Sequence, residues 1–533
     1  MTGYPQNVKD FGKPSDQFMQ IRADELTPLP APFDAPKMPL KGVDPQRRTA
    51  IEASLDGYSA VAIPKPATPE EEAALVRKFL GGLQKLLSQD SNWAFWQPLQ
   101  LSLDNCTRCQ TCSEACHIYE ASGRQEAYRP SYRSELLRRI ITKYLAPGGK
   151  LRAKLSGADI DLTWTTVARL IELAYRCNLC RRCAQACPIG VDNGLIAHEI
   201  RKLFSMELGL APRELHQSGS VQQLRVGSTT GMTPAALMDN IEFMEEDVTD
   251  RTGLSFKWPV DKEGADILLL HNAGEFMAWP ENPEAFAVIF EKSGLSYTLS
   301  SDLLGYDGVN YGLWYDDVQF TRVALKHAQV AKKLKVKKIV IGECGHAHKA
   351  LTVIADRIFA SEYNVPRESC LTLLDGIVSS GKLELDPSRN DFPVALHDPC
   401  NMVRLMGIVQ PQRRILKKIA PRFRELTPNG VDNYCCGGGS GFAIMQGLNF
   451  PEWRMSISGR KKLQQILNAF KDEMDPSIPK YLCAPCSNCK GQIRDLLDFH
   501  RVTEKANIHY GGLVELIVNA MPDLDKPYID FGE

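Results

Sequence analysis

Residues 432–442 read DNYCCGGGSGF, so Cys435 and Cys436 stand directly before three glycines. Two adjacent thiols are unfavourable on their own, because one must stay protonated or the pair must close into a strained vicinal disulfide. Iron supplies the positive charge that lets two thiolates lie side by side. Glycines allow positive φ and carry no Cβ atom that would obstruct an inorganic core. The segment therefore predicts a turn that binds a metal cluster, with a vicinal disulfide switch as the alternative.

The same turn occurs earlier in the chain without its cysteines. When GYDGVNYG (305–312) is aligned with YCCGGGSG (434–441), Tyr306 and Asp307 stand opposite the cysteine pair. Two more pairs of segments align: ILLLHNAG (267–274) with PVALHDPC (393–400), and KIVIGECGHAHKA (338–350) with KYLCAPCSNCKGQ (480–492). Strands alternate with helical stretches after about residue 260. These features predict an α/β domain built from a duplicated unit.

The two copies differ in their cysteines. The second copy has five cysteines at aligned positions: Cys400, Cys435, Cys436, Cys486 and Cys489. The first copy keeps only Cys344, opposite Cys486, so one copy is predicted to hold a metal cluster and its sibling is not. Cys483 aligns with Ile341 at the end of a strand and is treated as a neighbour of the site. A Cys483–Cys486 pair stays open as the alternative to Cys486–Cys489.

Two further cysteine motifs lie nearer the N-terminus, NCTRCQTCSEACH (105–117) and RCNLCRRCAQACPIG (176–190). Both have the spacing C-x2-C-x2-C-x3-C, in which three cysteines wrap one corner of a cubane and the fourth reaches the other cluster. The spacing predicts two [4Fe-4S] clusters, one held by Cys106, Cys109, Cys112 and Cys187, the other by Cys116, Cys177, Cys180 and Cys183. Zinc is the alternative, although zinc sites favour two separated pairs of cysteines.

Composition restricts the class of protein. The chain has 533 residues, a formal net charge of -1 and 24% charged residues, which predicts two or three domains and argues against a nucleic-acid groove. No apolar run approaches the roughly 18 residues of a membrane helix, and the N-terminus lacks the pattern of a secretory signal. A cytoplasmic location is expected, where 16 cysteines indicate metal binding rather than disulfides.

We expect three parts along the chain. Residues 1–65 are rich in proline and predict an extended arm, either a strap along a partner subunit or a loose terminus. Residues 66–225 predict an α-helical ferredoxin domain, with a helix that begins at Thr68 and Pro69 and further helices in RSELLRRIITKYL and TTVARLIELAYRC. Residues 226–533 predict the duplicated α/β domain, with strands in ADILLLH, KKIVIGE, PVALHD and KYLCAP.

Together these motifs resemble the HdrD-like, CCG-domain family of heterodisulfide reductases, succinate- or glycolate-linked iron–sulfur subunits and lactate-utilisation proteins. In its heterodisulfide reductases, CCG motifs hold non-cubane [4Fe-4S] clusters that cleave a disulfide. The resemblance implies an oxidoreductase that acts on sulfur groups and carries two cubane clusters and one non-cubane cluster. The first copy lacks cysteine at residues 274, 306, 307 and 347, so a second non-cubane cluster is not expected.

The single intact motif, ECGHAHK (343–349) and the proline-rich arm resemble, more narrowly, the DsrK subunits of the DsrMKJOP complexes of sulfur-metabolising microbes. This resemblance implies a DsrM-like membrane haem b subunit and other complex subunits as partners, and a small DsrC-like sulfur-carrier protein as substrate. It also implies a peripheral position on the cytoplasmic face of the inner membrane through those partners. The alternatives are an electron-relay subunit of a glycolate-, lactate- or glycerol-phosphate-type dehydrogenase and a non-catalytic electron conduit.

Cys344 and the histidines beside it leave more than one hypothesis open. Cys344 is predicted to face the cluster of the second copy as a ligand or as a thiol that captures a released sulfur, or else to be a buried structural cysteine. We predict it to be catalytic together with Cys435 and Cys436. His346 and His348 are either proton carriers or surface histidines.

Other polar residues lie close to the predicted ligands. His397 and Asp398, before Cys400, either orient that ligand through hydrogen bonds or have a purely architectural role. Arg404 and Lys490 either attract an anionic partner tail or are solvated charges. Cys370 has no partner pattern and is predicted to be structural.

Overall fold

The structure, a computed structural model, describes residues 8–12, 21–33, 61–355, 364–445, 450–524 and 526–532. The chain forms two compact units. Unit 1 consists of Met1–Leu215, Trp314–Asp317 and Gly437–Gln464, and unit 2 of His216–Leu313, Val318–Cys436 and Gln465–Glu533. The first change of unit follows Leu215, whereas the sequence places the domain boundary at residue 225. A later change falls between Cys436 and Gly437, so the cysteine pair belongs to unit 2 and the glycines after it to unit 1.

Unit 1 contains helices and no β-strand among its described residues. Its α-helices are Pro69–Leu86, Trp96–Asp104, Thr111–Glu114, His117–Ala121, Pro130–Ile140, Gly149–Leu155, Trp164–Tyr175, Arg182–Gln185, Asn193–Leu203, Arg213–Leu215 and Phe450–Trp453. Three π-helical segments continue these helices: Ile141–Leu145, Phe204–Leu208 and Arg454–Ser458. The helices predicted in RSELLRRIITKYL and TTVARLIELAYRC are therefore confirmed.

The first long helix begins where its capping residues predict. The Thr68 side chain accepts a hydrogen bond from the backbone N–H of Glu71, and Pro69 occupies the first helical position, where its missing N–H costs nothing. Acidic residues in the first turn favour the positive end of the helix dipole. Phe79 and Leu83 are buried on one face, so the helix is stabilised by its amphipathic packing.

Most of the predicted N-terminal arm lies outside the described residues. Within residues 8–12 and 21–33, two short 3₁₀ turns form at Val8–Asp10 and Ala23–Glu25. Phe11 is completely buried, and its carbonyl accepts a hydrogen bond of 2.7 Å from Arg169 Nη1. These described pieces of the arm thus pack against their own unit.

Unit 2 is built on two parallel sheets. The first contains β1 (Ile267–Leu270), β2 (Tyr297–Thr298), β3 (Lys338–Ile341) and β4 (Arg367–Ser369). The second contains β5 (Val394–Leu396), β6 (Phe423–Glu425), β7 (Lys480–Cys483) and β8 (Ile508–Gly511). The strand orders are β2-β1-β3-β4 and β6-β5-β7-β8, so each sheet has the same order of first, second, third and fourth strand. The four strands predicted from ADILLLH, KKIVIGE, PVALHD and KYLCAP are β1, β3, β5 and β7.

Helices cover the sheets of unit 2. They are Gln222–Val226, Pro234–Thr252, Ala273–Ala278, Glu281–Ser293, Gly345–His348, Cys370–Ser379, Pro411–Ile419, Ser487–Phe499, Val502–Ala506 and Leu513–Asn519. Two more helices, Asp317–Lys333 and Arg460–Ala469, contain residues of both units. Every residue of β1 is buried, as expected for a parallel strand that is covered on both faces. In the parts of the chain that the structure describes, no helix is both long and apolar enough to span a bilayer.

Candidate metal centres

The two C-x2-C-x2-C-x3-C motifs of unit 1 follow the same backbone path. Positive φ occurs on either side of the second cysteine, at Arg108 (61°) and Gln110 (66°) in the first motif and at Leu179 (49°) and Arg181 (60°) in the second. A short helix follows each turn. Side chains in the left-handed region cost on the order of 1–3 kcal/mol each. Four such positions in two matching turns indicate a shared task, which is to wrap the chain around a bound group.

The thiols of these motifs form two groups, and the fourth cysteine of each motif lies with cysteines of the other motif. In the first group, burial raises the pKa of Cys112, and the charges of Cys106 and Cys187 raise it further. Cys109 lies in the same turn but is exposed, and a hydrogen bond of 3.3 Å with the Thr111 hydroxyl lowers its pKa. The last cysteine of the second motif therefore lies with cysteines of the first motif.

The second group is buried more deeply. Burial raises the pKa of Cys116 to about 12, and the charges of Cys180 and Cys177 contribute in the same direction. The pKa of Cys183 is also far above its ordinary value because of burial and neighbouring charges that include all three of these thiols. The four cysteines line one small cavity together with Arg133, whose charge offsets part of the negative charge that thiolates would bring.

Asn178, the residue after Cys177, holds the glycine-rich turn within unit 1. Its Nδ2 donates to the carbonyls of Gly437 at 3.0 Å and Gly439 at 3.4 Å. Its Oδ1 accepts from Ser458 Oγ at 3.0 Å and lies 2.7 Å from His117 Nε2. The turn that follows the cysteine pair is therefore anchored on the second ferredoxin motif.

Backbone geometry makes the first glycine of this turn irreplaceable. Gly437 has a φ of 94°, and a Cβ atom there would lie 2.5 Å from the Cα of Gly459. Further along, Arg201 Nη1 donates to Ser440 Oγ at 2.9 Å and to its carbonyl at 3.1 Å. The glycines thus serve close packing of backbone on backbone.

In unit 2, three of the five predicted ligands of the CCG site converge. Hydrogen bonds with Cys436 and Cys486, followed by burial, raise the pKa of Cys489 well above that of an ordinary thiol. The Sγ atoms of Cys436 and Cys489 and a ring nitrogen of His397 all lie within 4.8 Å of one another. All four side chains are buried. This is a compact set of soft and borderline donors, of the kind that iron binds.

The remaining two predicted ligands lie in the segments that flank this group. Cys435 is buried next to Cys436, and Cys400 is half-buried at the start of the π-helical segment Asn401–Leu405. The helix Gly345–His348 packs against that segment. Residues of the first copy thus lie beside the cysteine site of the second.

His397 and Asp398 have different roles although they are adjacent. Asp398 accepts from Arg413 at 2.8 and 2.7 Å and from the backbone N–H of Gly430 at 2.7 Å, so it anchors the loop. The His397 Nδ1 lies 3.4 Å from Asn433 Nδ2, and its ring reaches the thiols. The sequence leaves His397 out of the ligand set, although its position after β5 and before Cys400 marks it as a neighbour of the site.

Cys344 lies beside the thiols of the second copy. The backbone N–H of Gly345 donates to Cys486 Sγ at 3.3 Å. Burial raises the pKa of Cys344, and the charge of Cys486 raises it further. The neighbouring Glu343 fixes this loop, since its Oε1 accepts from the backbone N–H groups of Leu513 at 2.9 Å and Val514 at 3.2 Å.

In the first copy, the position that corresponds to the CCG site is occupied by the Asp307 side chain and its hydrogen-bond donors. The His271–Asp307 bridge brings together the counterparts of His397 and Cys436. The buried Asp307 carboxylate accepts hydrogen bonds of 2.7 Å from both the N–H and the hydroxyl of Thr229, and further bonds from Ala273 and Val309 N–H groups. A satisfied carboxylate therefore stands where the second copy has a thiol.

Two other cysteines of unit 2 belong to its hydrophobic core. Cys483 and Cys370 are completely buried among apolar side chains. Burial raises the pKa of Cys483 well above its ordinary value, and carboxylates such as Glu343 raise it further. This placement favours Cys486–Cys489 over Cys483–Cys486 as the ligand pair.

The alternatives that place His346, His348 and Lys490 at the surface are wrong. His346 and His348 are buried rather than on the surface, and burial lowers the pKa of His346 to about 3 and that of His348 to about 4. Lys490 is also fully buried, 3.6 Å from Glu515, and cannot attract a partner in solution. Arg404 donates to the Val431 carbonyl at 2.7 Å and stabilises the loop before the cysteine pair. The sequence missed these burials because the partners are distant along the chain.

The donor chemistry fits iron–sulfur clusters at all three places. Each site in unit 1 combines cysteine thiols with a turn shaped by left-handed residues, and the second encloses a cavity. The CCG site combines buried thiols, and the negative charge of each thiolate raises the pKa of its neighbours, so a cation is needed to stabilise them as thiolates.

Family models match both halves of this arrangement. Residues 102–191 match a 4Fe-4S dicluster domain, and residues 394–494 match the cysteine-rich CCG domain. The first match spans both C-x2-C-x2-C-x3-C motifs, and the second spans Cys400 to Cys489. The chain is thus an iron–sulfur protein with a 4Fe-4S domain followed by a CCG domain.

Several curated proteins are similar over most of the chain. The Hdr-like menaquinol oxidoreductase iron–sulfur subunit 2 of Archaeoglobus fulgidus is 26% identical over 467 residues, which cover 79% of this chain and 80% of that protein. A subunit of the dihydromethanophenazine:CoB–CoM heterodisulfide reductase of Methanosarcina acetivorans is 25% identical, with 79% and 94% covered. The EtfAB:quinone oxidoreductase of Syntrophomonas wolfei is 23% identical, with 75% and 56% covered. These similarities support a place for the chain among the HdrD-like, CCG-domain iron–sulfur subunits of electron-transferring oxidoreductases.

Proposed function

We propose that the chain is the catalytic iron–sulfur subunit of a membrane-associated, DsrMKJOP-type complex, and that it corresponds to DsrK. In this proposal electrons pass between a DsrM-like haem subunit, linked to quinone, and a disulfide or trisulfide of a DsrC-like sulfur carrier. The subunit would lie at the cytoplasmic face of the membrane through its partners. The observation that carries the proposal is the convergence of Cys436, Cys486, Cys489 and His397 in unit 2. In the first copy, Asp307 stands at the position that aligns with Cys436.

The residues of the site suit cleavage of a sulfur–sulfur bond. Reduction of a disulfide takes two electrons and two protons and gives two thiols. A bound non-cubane cluster, held by Cys400, Cys435, Cys436, Cys486 and Cys489, would supply single electrons and an iron atom for a substrate sulfur. The surrounding residues exclude bulk water, because His346 and Cys344 are buried beside these thiols.

We propose that Cys344 interacts with the substrate sulfur that is released when the sulfur–sulfur bond breaks. Burial and the charge of Cys486 raise its pKa and hold it as a neutral thiol, so it would donate a hydrogen bond to the leaving sulfur while the proton for that sulfur comes from solvent. Cys344 would thereby act together with Cys435 and Cys436 in catalysis.

A single substitution separates this role from a structural one. We expect Cys344→Ala to retain the iron content and spectra of the wild type but to lose most thiol release, on the order of tenfold or more, because the sulfur that develops negative charge loses a hydrogen-bond donor. The assay measures thiols released from a disulfide form of the sulfur-carrier arm by reduced protein. Cys370→Ala, another buried cysteine of unit 2, is the matched control. Unchanged thiol release in Cys344→Ala would remove the assigned role.

A second candidate function is supported by one of the similarities. The EtfAB:quinone oxidoreductase of Syntrophomonas wolfei suggests a relay in which the chain carries electrons from a flavin-dependent partner to quinone without binding a sulfur substrate. The neighbouring genes distinguish the two candidates. A haem membrane subunit beside sulfite reductase genes supports the first, and a flavin dehydrogenase supports the second.

A further inference from the structure

Unit 1 has a basic cleft beside its first cysteine turn. The cleft has a volume of about 450 Å³, and its walls include Arg108, Arg138, Arg139 and Arg152. The carboxylate of Glu135 lines it as well, and is shared by Arg108 at 3.2 Å and Arg139 at 3.0 Å. One negative charge thus stands against four positive ones, so the cleft favours an anion.

Two of its arginines, Arg138 and Arg152, have no carboxylate partner among the described residues. Arg138 Nη2 donates to the Ser102 carbonyl at 3.1 Å, whereas its Nη1 is buried and has no partner among the described residues. The Arg152 guanidinium forms no ion pair within the part of the chain that the structure describes, although it lines the same cleft. The exposed Arg152 guanidinium is therefore available to a phosphate or carboxylate oxygen in the cleft.

The helix at the rim of the cleft carries exposed apolar side chains among basic ones. The helix Gly149–Leu155 has the sequence GKLRAKL, and its Leu151 and Leu155 are 66% and 81% exposed. Leu155 also lines the cleft. The helix is held firmly in place, since a Cβ atom on Gly149 would lie 2.4 Å from the Thr142 carbonyl. Exposed leucines therefore stand at a fixed position next to unneutralised arginines.

We propose that this surface, formed by the cleft and the helix Gly149–Leu155, binds the headgroups of an anionic lipid membrane directly. A phospholipid has a phosphate adjacent to apolar chains. On this surface, guanidinium groups would contact the phosphate and the neighbouring leucines would contact the chains. Basic residues attract anionic lipid surfaces, and apolar side chains on an amphipathic segment enter the boundary between headgroups and chains. Asp159 and Asp161, which follow the cleft residue Ala158 in the sequence, are both paired with Lys143, and Lys150 and Lys154 of the helix add two exposed positive charges.

Binding in this way would orient the cysteine turn. Arg108 belongs both to the cleft and to the turn between Cys106 and Cys109. A membrane that contacts the cleft would lie next to this exposed turn, where a quinone-linked electron donor is also expected. The proposal stands independently of the sulfur chemistry, because it concerns a surface of unit 1 and not the CCG site.

Co-sedimentation of the iron-loaded, full-length protein with lipid vesicles tests this proposal. We expect binding to vesicles of phosphatidylglycerol at low salt, little binding to phosphatidylcholine, and release as the ionic strength rises. Arg152→Gln should lower the partition coefficient about fivefold, the effect of one basic residue at an anionic surface. Leu155→Ser should lower it by a similar factor, because its apolar side chain no longer enters the lipid.

Matched controls lie on exposed positions of unit 2. Arg322→Gln removes an exposed arginine, and Phe243→Ser removes an apolar side chain that is 59% exposed. Both should bind vesicles like the wild type, and the circular dichroism of all four variants should be unchanged. The proposal is overturned if the wild type does not sediment with phosphatidylglycerol, which would favour an acidic protein partner for the surface, or if the controls weaken binding as much as Arg152→Gln and Leu155→Ser do.

Discussion

Asp307 and Cys436 occupy corresponding positions in the two copies, and each is surrounded according to its chemistry. Asp307 is an acceptor of hydrogen bonds, so backbone and hydroxyl donors from Thr229, Ala273 and Val309 converge on it. Cys436 is instead surrounded by further thiols and by the His397 ring. The residue at this position, together with the other cysteines that the first copy lacks, accounts for the different surroundings in the two copies.

Replacement of Asp307 tests how the first copy is stabilised. We expect Asp307→Ala to lower the free energy of unfolding by about 3 kcal/mol, because several buried donors lose their acceptor. Iron content should not change. Asp302→Ala, which removes a partly exposed carboxylate paired with Lys333, should cost less than about 1 kcal/mol. Chemical denaturation followed by circular dichroism measures both, and equal effects of the two substitutions would contradict the account.

The choice between Cys489 and Cys483 is also settled by single substitutions. We expect Cys489→Ala to lose about four irons per chain and to keep the spectra of the two cubanes, because a four-iron cluster loses one of its thiolates. Cys483→Ala should keep all its iron and lose about 1 kcal/mol of stability, as expected for a small cavity in the core. Iron analysis with electron paramagnetic resonance distinguishes them, and the reverse pattern would show that Cys483 is the ligand.

At the scale of elements, buried acids in helices make the stability of unit 2 depend on pH. Glu284, in the helix Glu281–Ser293, is buried near Asp247 and Arg251 of the helix Pro234–Thr252, and Tyr528 OH lies 3.4 Å from its Oε2. Burial raises the pKa of Glu284 to about 8, and the charge of Asp247 contributes to the rise. The folded protein therefore binds a proton that the unfolded chain releases above a pH of about 4.5.

The sign of the pH effect follows from this difference. Between the unfolded and folded pKa values the folded state holds more protons, so stability falls as the pH rises from about 4.5 to about 8 and levels off above that. We expect the Glu284 carboxyl to make the free energy of unfolding on the order of 2 kcal/mol smaller at pH 9 than at pH 6. Glu284→Gln should remove that share and leave the part due to Glu281 and Glu343, whose pKa values burial also raises. Denaturant titrations at the two pH values measure it. A slope that persists unchanged in Glu284→Gln would exclude this carboxyl as the cause.

At the scale of the whole molecule, local patterns predict more than long-range contacts do. The helix at Thr68 and the strands β1, β3, β5 and β7 follow from capping, spacing and apolar runs, because these depend on neighbours in the sequence. The sequence could not show that Gly437–Gln464 belongs to unit 1, since that depends on Asn178 and Arg201, far along the chain. Nor could it show the burial of Lys490, whose carboxylate partners come from other elements.

The same division holds for the candidate sites. The grouping of the ferredoxin cysteines was open to prediction, because the spacing alone carries the fourth cysteine to the other group. The approach of His397 to Cys436 and Cys489 was not, because it depends on β5 and β7 lying side by side in the sheet.

In the proposed function, a cluster at the CCG site binds a substrate sulfur. The most direct measurement is electron paramagnetic resonance of the oxidised, iron-loaded protein before and after addition of the thiol form of the sulfur-carrier arm. We predict a new paramagnetic signal in the wild type that depends on the thiol and is absent from Cys489→Ala, whose cubane signals persist. The absence of a thiol-dependent signal in fully loaded wild type, or the same signal in Cys489→Ala, would contradict the account.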